Sequence, residues 1–368
     1  MHASSYTTSI LLGFTLDIER GVLALAIILL SFRFFDKTAI YANITILYIA
    51  ILTSFNAVRL EDHVMECVGF FLYFNVVYIF WKFLGTQDLT PRQRYIRLYS
   101  FLAVPLITYI SPMLLNPSMI DLDFYSDPQL ETVGLKSRTV GWAAAVGLPL
   151  TFEWSRREGP LRAFAIMLMA TLIVLIIGSG SRSSTLGAGL FIAAMILKLD
   201  HKYKFVWVLL LMILTGFLMS NADQLSLNRR AELHKMGVSD DTFRLSLVTA
   251  YLEHLWLDFP NSIYPGGLGE PNLQATLNSF FDTEGFGTHN TYISIMAYLG
   301  AFGIIVFARL YKGIKVLIKD KFFYFFLPAL TISITEDCFG PGQLLYMYIL
   351  AILVISTSYA RPRRTSLR

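Results

Sequence analysis

The chain has 368 residues, of which 55% are hydrophobic and only 15% charged, with a formal net charge of +4 and a mean hydropathy of +0.56. That balance excludes a soluble domain of this length, which would carry far more charge. The apolar residues gather in stretches close to the roughly 20 that cross a bilayer, so the chain reads as an all-α, polytopic helical membrane protein.

In chain order, spans are expected near 14–35, 39–58, 64–84, 98–115, 139–154, 162–179, 184–199, 204–220, 290–310, 322–337 and 343–360. The count is about eleven, with a range of roughly 10–12. Asp17, Glu19 and Arg20 interrupt the first stretch, so 6–16 reads as a half-helix or interfacial segment. The N-terminus has no basic n-region and no clear small-residue cleavage site, so no cleaved signal peptide is expected. Cys67 and Cys338 show no metal spacing, and two cysteines alone do not define a pairing. Without internal repeats or low-complexity tracts, residues 1–368 read as one membrane domain, with 221–288 a polar insertion inside it.

Basic residues occupy alternate connections. Arg33 and Lys37 are followed by Lys82, Arg92, Arg94 and Arg97, by Arg156, Arg157 and Arg162, and by Lys198, Lys202 and Lys204. Arg309, Lys312, Lys315, Lys319 and Lys321 come next, then the tail arginines 361, 363, 364 and 368. The intervening connections are acidic or small: Glu61-Asp62, the 116–131 segment, and Glu336-Asp337. The positive-inside rule therefore makes the basic side cytoplasmic and turns the long insertion outward. In a bacterium that is an inner-membrane protein with its polar loop in the periplasm.

Several arginines run against that bias. Arg138 lies at the outer end of the fifth span, Arg182 in the short link Gly178-Ser179-Gly180-Ser181-Arg182-Ser183-Ser184, and Arg229, Arg230 and Arg244 in the long loop. An arginine near hydrocarbon costs at least about 2.5–3.5 kcal/mol at a helix centre and less toward its ends. Each alone would suit a lipid headgroup. Together with a histidine they suggest a polyanion such as a diphosphate, which guanidinium forks bind bidentately.

The insertion has its own pattern. Phe243, Leu247, Ala250, His254 and Leu255 share one side of an amphipathic helix expected over 241–258, with Asp240 or Asp241 at its cap and Arg244 beside Tyr251 and Leu255. Pro260 ends it. Pro265-Gly266-Gly267-Leu268-Gly269 is then either an ordinary connector or a turn with N–H groups free for an anion. His289-Asn290 precedes the apolar run from Tyr292 to Leu310, where a histidine is ordinarily interfacial and an asparagine ordinarily a helix cap.

The GSGSRSS link, the arginine-bearing loop helix, the P-G-G-L-G turn and the HNTYISIMAYLGAFG run together resemble the O-antigen ligase/polymerase family, over roughly residues 138–305. The resemblance implies a GT-C-like inner-membrane glycosyltransferase whose donor is an oligosaccharide on undecaprenyl diphosphate. The acceptor is a second lipid-linked repeat unit for a polymerase, or lipid A core for a ligase. It further implies that Arg182 and Arg244 hold the diphosphate and that His289 is the base. Arg138, Arg229, Arg230, Tyr251 and Asn290 are then substrate contacts. Membrane lipid and a chain-length regulator protein are the implied partners, with no cofactor, no metal and no nucleic acid.

The chemistry is compatible. Diphosphate is already a good leaving group, cationic clamps stabilise the charge that develops on it, and one base is worth roughly 10²–10⁴-fold. Two other readings stay open. Glu61-Asp62-His63 or Asp121 with Asp123 would suit a hard divalent cation, although outer acids also simply obey the topology bias. A transporter or flippase for an anionic lipid would use the same arginines, but it predicts ionisable residues along a path near the bilayer midplane.

Overall fold

The computed structural model describes residues 36–55, 57, 59–115, 137–156, 159–179, 181–198, 290–336, 339 and 345–358. All of its regular structure is helical: α1 (Lys37–Ser54), α2 (Leu60–Thr86), α3 (Pro91–Leu115), α4 (Ser137–Ser155), α5 (Pro160–Gly178), α6 (Arg182–Lys198), α7 (Thr291–Leu299), α8 (Gly303–Lys319), α9 (Phe323–Thr335) and α10 (Tyr346–Ser358). A single 3-10 turn, Gly300–Phe302, joins α7 to α8. Among the described residues, Lys37–Ser54, Leu60–Thr86, Pro160–Ile177 and Thr291–Lys319 are long and apolar enough to cross a membrane. The helices over 183–197, 323–335 and 346–357 are apolar but shorter.

These helices fall on the expected spans, with two extensions. α3 begins at Pro91 instead of near 98, so Arg92, Arg94 and Arg97 ride on the helix rather than in a loop. α8 runs on to Lys319, well past 310. Both extensions are basic turns that continue a hydrogen-bonded helix beyond its apolar stretch, where apolarity alone underestimates length. The expected spans at 14–35 and 204–220 lie outside the described residues, as does the loop helix at 241–258.

Polarity in α1 is inside out. Asn43 and Thr53 are buried while Tyr41, Ile44, Leu47 and Ile51 are exposed. Water would reverse that arrangement; hydrocarbon around the bundle rewards it. The buried Asn43 and Asn75 carboxamides bond each other reciprocally at 2.9 Å, tying α1 to α2. Such interhelical amide pairs act as adhesive where apolar burial does not drive association. α5 likewise turns Leu161, Phe164 and Met167 outward.

The interior belongs to α4 and α10. Val140 to Phe152 and Tyr346 to Ile355 supply much of the buried cluster. Small residues let the backbones close up around them. A Cβ at Gly313 of α8 would strike the Ile352 carbonyl of α10, and one at Gly187 of α6 would lie 3.1 Å from the Pro328 carbonyl of α9. Tyr99 completes the centre: its hydroxyl donates to Val146 O at 2.7 Å, and its ring meets Phe325, Phe326 and Tyr348 edge-on.

The bundle has two chemically different ends. At one, Arg92 pairs with Glu153, Tyr95 donates to Asp320 at 2.7 Å, and the Arg94 guanidinium stacks 3.6 Å from the Trp81 ring. Asp36 caps α1 there and receives Lys82 Nζ and Tyr78 OH, each at 2.7 Å. Burial raises the Asp36 carboxyl, but donation from Lys82, Tyr78 and the Ala39 N–H, with the Lys82 charge, outweighs it and holds the group at about 2. The opposite end carries hydroxyls, amides and one buried carboxylate. The alternation of charge read along the chain thus becomes a segregation in space.

Candidate functional site

The serine-rich link at the opposite end is built as a helix start. Ser181 precedes α6, and its Oγ accepts from Ser184 N at 3.3 Å, the usual capping bond. Ser179 Oγ donates to Ile176 O at 2.8 Å and accepts from Ser181 N at 3.3 Å, so the end of α5 and the start of α6 share one hydroxyl. Ser179, Ser181, Ser183 and Ser184 are all buried. α4 passes close enough that a Cβ at Gly141 would overlap Ser179 Oγ and approach Ser184 Oγ to 2.9 Å.

The hydroxyls form a chain with a direction. Ser184 Oγ donates to Ser181 Oγ at 2.8 Å, so the Ser181 proton is left for Ser183 Oγ, 3.0 Å away. Ser183 Oγ then donates to Glu336 Oε1, a longer contact of 3.4 Å. Glu336 is 7% exposed, and the start of α6 presents the positive end of its dipole toward that carboxylate.

Asn290 is the second junction. Its carboxamide oxygen accepts from Tyr292 N at 2.9 Å and Ile293 N at 3.2 Å, capping α7. Its amide donates to Ile334 O at 2.9 Å, capping the last turn of α9. One side chain therefore satisfies orphan groups at a helix start and a helix end together. Thr291 reinforces it: N and Oγ1 donate to Glu336 O at 3.1 and 2.8 Å.

Three of the sequence-derived site positions fall on this end. Residue 138 lies in the first turn of α4, one turn before Gly141; residue 182 opens α6; Asn290 opens α7. His289, Arg229, Arg230, Arg244 and Tyr251 lie outside the described residues. The carboxamide of Asn290 serves as the cap expected of it, a double one. Thr291 and the ordered serine chain escaped the sequence reading, because threonine at a helix start and serine in a link are unremarkable until their partners are known.

The candidate cation site does not assemble from its histidine. His63 is buried and turns inward, its Nε2 3.0 Å from Ala50 O and 3.1 Å from Thr53 Oγ1, while Glu61 is exposed. A ring nitrogen facing a carbonyl must donate to it, so Nε2 carries the proton and the histidine serves to join α2 to α1. Among the described residues no three of His, Cys, Asp and Glu come together as a metal cluster. Asp121 and Asp123 lie outside them.

No protein family, curated protein or solved structure matches this chain.

Proposed function

We propose that this chain is an inverting, metal-independent membrane glycosyltransferase, an O-antigen type polysaccharide polymerase. It transfers a glycan from undecaprenyl diphosphate to a second lipid-linked repeat unit on the periplasmic side. Arg182 and Arg244 bind the diphosphate, with Arg138, Arg229 and Arg230 adding positive charge. His289 accepts the proton of the attacking hydroxyl, and the oxygen attacks opposite the departing diphosphate.

One observation carries the reading. The starts of α4, α6 and α7, which lie at 138, 182 and 290 in a chain with long stretches between them, meet through Gly141, the serine chain, Glu336 and Thr291. Helix N-termini gathered at one end concentrate N–H groups and positive dipole ends where a polyanion is to be held. The basic connections stand at the other end, as the topology rule requires for an outward-facing site.

The test is reconstitution. Purified protein incubated with lipid-linked repeat units alone should produce a ladder of products. Transfer that waits for added lipid A core means a ligase instead. Absence of both reactions refutes the reading. Arg182→Ala and Arg244→Ala should abolish or severely reduce transfer, with only partial rescue by lysine, which keeps the charge but lacks the planar fork.

A further inference from the structure

The proposed chemistry rests on positions 182 and 289, contributed by helices remote in sequence. Glu336 bonds an immediate neighbour of the first and a near neighbour of the second. Its carboxylate receives Ser183 Oγ at 3.4 Å, and its main-chain carbonyl receives Thr291 N at 3.1 Å and Thr291 Oγ1 at 2.8 Å. Asn290, between 289 and 291, fastens to the same end of α9 through Ile334 O. The last turn of α9 is thus the frame on which the starts of α6 and α7 are both hung.

A carboxylate this deeply buried is costly unless donors meet it. The direction of the hydroxyl chain supplies one: Ser183 has its proton available because Ser181 gives its own to Ser183. Every bond printed at this carboxylate asks it only to accept. An uncharged acceptor oxygen of the same reach would serve equally.

We infer that Glu336 is a positioning residue for the transfer, setting the separation between the backbone at 182 and that at 289, and that it takes no proton from the acceptor. This rests on the function proposed above. Its requirement is length and acceptor capacity, not charge. Glutamine meets both; alanine meets neither.

The experiment compares Glu336→Gln, Glu336→Ala and Ser183→Ala by steady-state kinetics on lipid-linked repeat units. Alongside, spin labels at Leu186→Cys and Ile304→Cys, both on exposed surface, report the separation of α6 from α8 in a background with Cys67 and Cys338 replaced by serine. Glu336→Ala should lower kcat by about 10- to 100-fold with donor KM within about twofold, the signature of a misplaced group. Glu336→Gln should recover most of that loss. Ser183→Ala should share the defect, and Ser183→Ala with Glu336→Ala should be no worse than Glu336→Ala alone, because both break one link. The label distances should broaden in Glu336→Ala and stay narrow in Glu336→Gln.

A glutamine variant as inactive as alanine, with the acidic limb of its pH profile gone, overturns the inference and makes Glu336 a proton acceptor. Full activity and unchanged distances in Glu336→Ala overturn it as well. If Glu336→Ala does not fold, the glutamine and Ser183→Ala arms decide. If the wild type transfers no glycan, the proposed function fails, while the distance measurements still judge the positioning claim separately.

Discussion

Replacing Gly141 by alanine should loosen the junction of α4 and α6, even though alanine is the better helix former. The propensity gain is about 1 kcal/mol. Against it, the added Cβ would lie 2.8 Å from Ser179 Cβ and 2.9 Å from Ser184 Oγ, and nearer still to Ser179 Oγ. Neither serine is free to rotate: Ser179 Oγ bonds Ile176 O and Ser181 N, and Ser184 Oγ bonds Ser181. Ser179 Cβ sits one bond from the backbone, so the helices themselves must part. Overpacking a filled interior costs about 1–3 kcal/mol, and a clash with such stiff atoms belongs in the upper half of that range. The net effect is a destabilisation of about 1–2 kcal/mol. Gly189 on α6 is the control, because a Cβ there meets nothing within 4 Å and only the propensity gain remains. Thermal unfolding of the purified variants in one detergent should place Gly141→Ala several degrees below wild type and Gly189→Ala at or above it. Equal midpoints for the two variants would refute the close approach of α4 to the serine link.

Asp36 should give the basic end an acid limb of stability. Its carboxyl is held at about 2 against an ordinary 3.8, so its stabilisation is complete above the ordinary value and is lost as pH falls toward the lower one. The side chain is 44% exposed, which limits the effect to under about 1 kcal/mol, and Asp36→Asn should flatten the unfolding profile between those two pH values. Asn290→Asp keeps the acceptor that caps α7 but loses the amide that caps α9, so its unfolding midpoint should fall between those of wild type and Asn290→Ala. The alanine variant should lose about 1 kcal/mol for the helix start alone. A cysteine introduced at Asn272 should react with an impermeant reagent applied outside intact cells, and one at Lys315 should not; labelling at Lys315 reverses the orientation. His289→Gln should reduce turnover by roughly 10²–10⁴-fold and abolish the rise of rate with pH, since glutamine cannot take the proton. An active variant with an unchanged pH profile removes His289 as the base.

The linear chain determined the class of this protein and the arrangement of its charges. Apolar stretches at spanning length can only become helices in hydrocarbon, because each backbone group must find its partner within its own segment. The alternation of basic and acidic connections likewise follows from order alone, since every span reverses the chain. Asn290 was legible as a cap from its place before an apolar run, capping being a local bond. Other features were not local. Asn43 and Asn75 look like unwelcome amides inside apolar helices until α1 and α2 bring them within 2.9 Å. His63 stands beside two acids in sequence and reads as a ligand, yet the helix turns it inward to Ala50, because successive residues on a helix point about 100° apart. Glu336 shows only as an acid at the end of a span. That its carboxylate faces the start of α6 while its carbonyl holds the start of α7 was decided by packing between segments more than 40 residues apart, which no periodicity along one segment encodes.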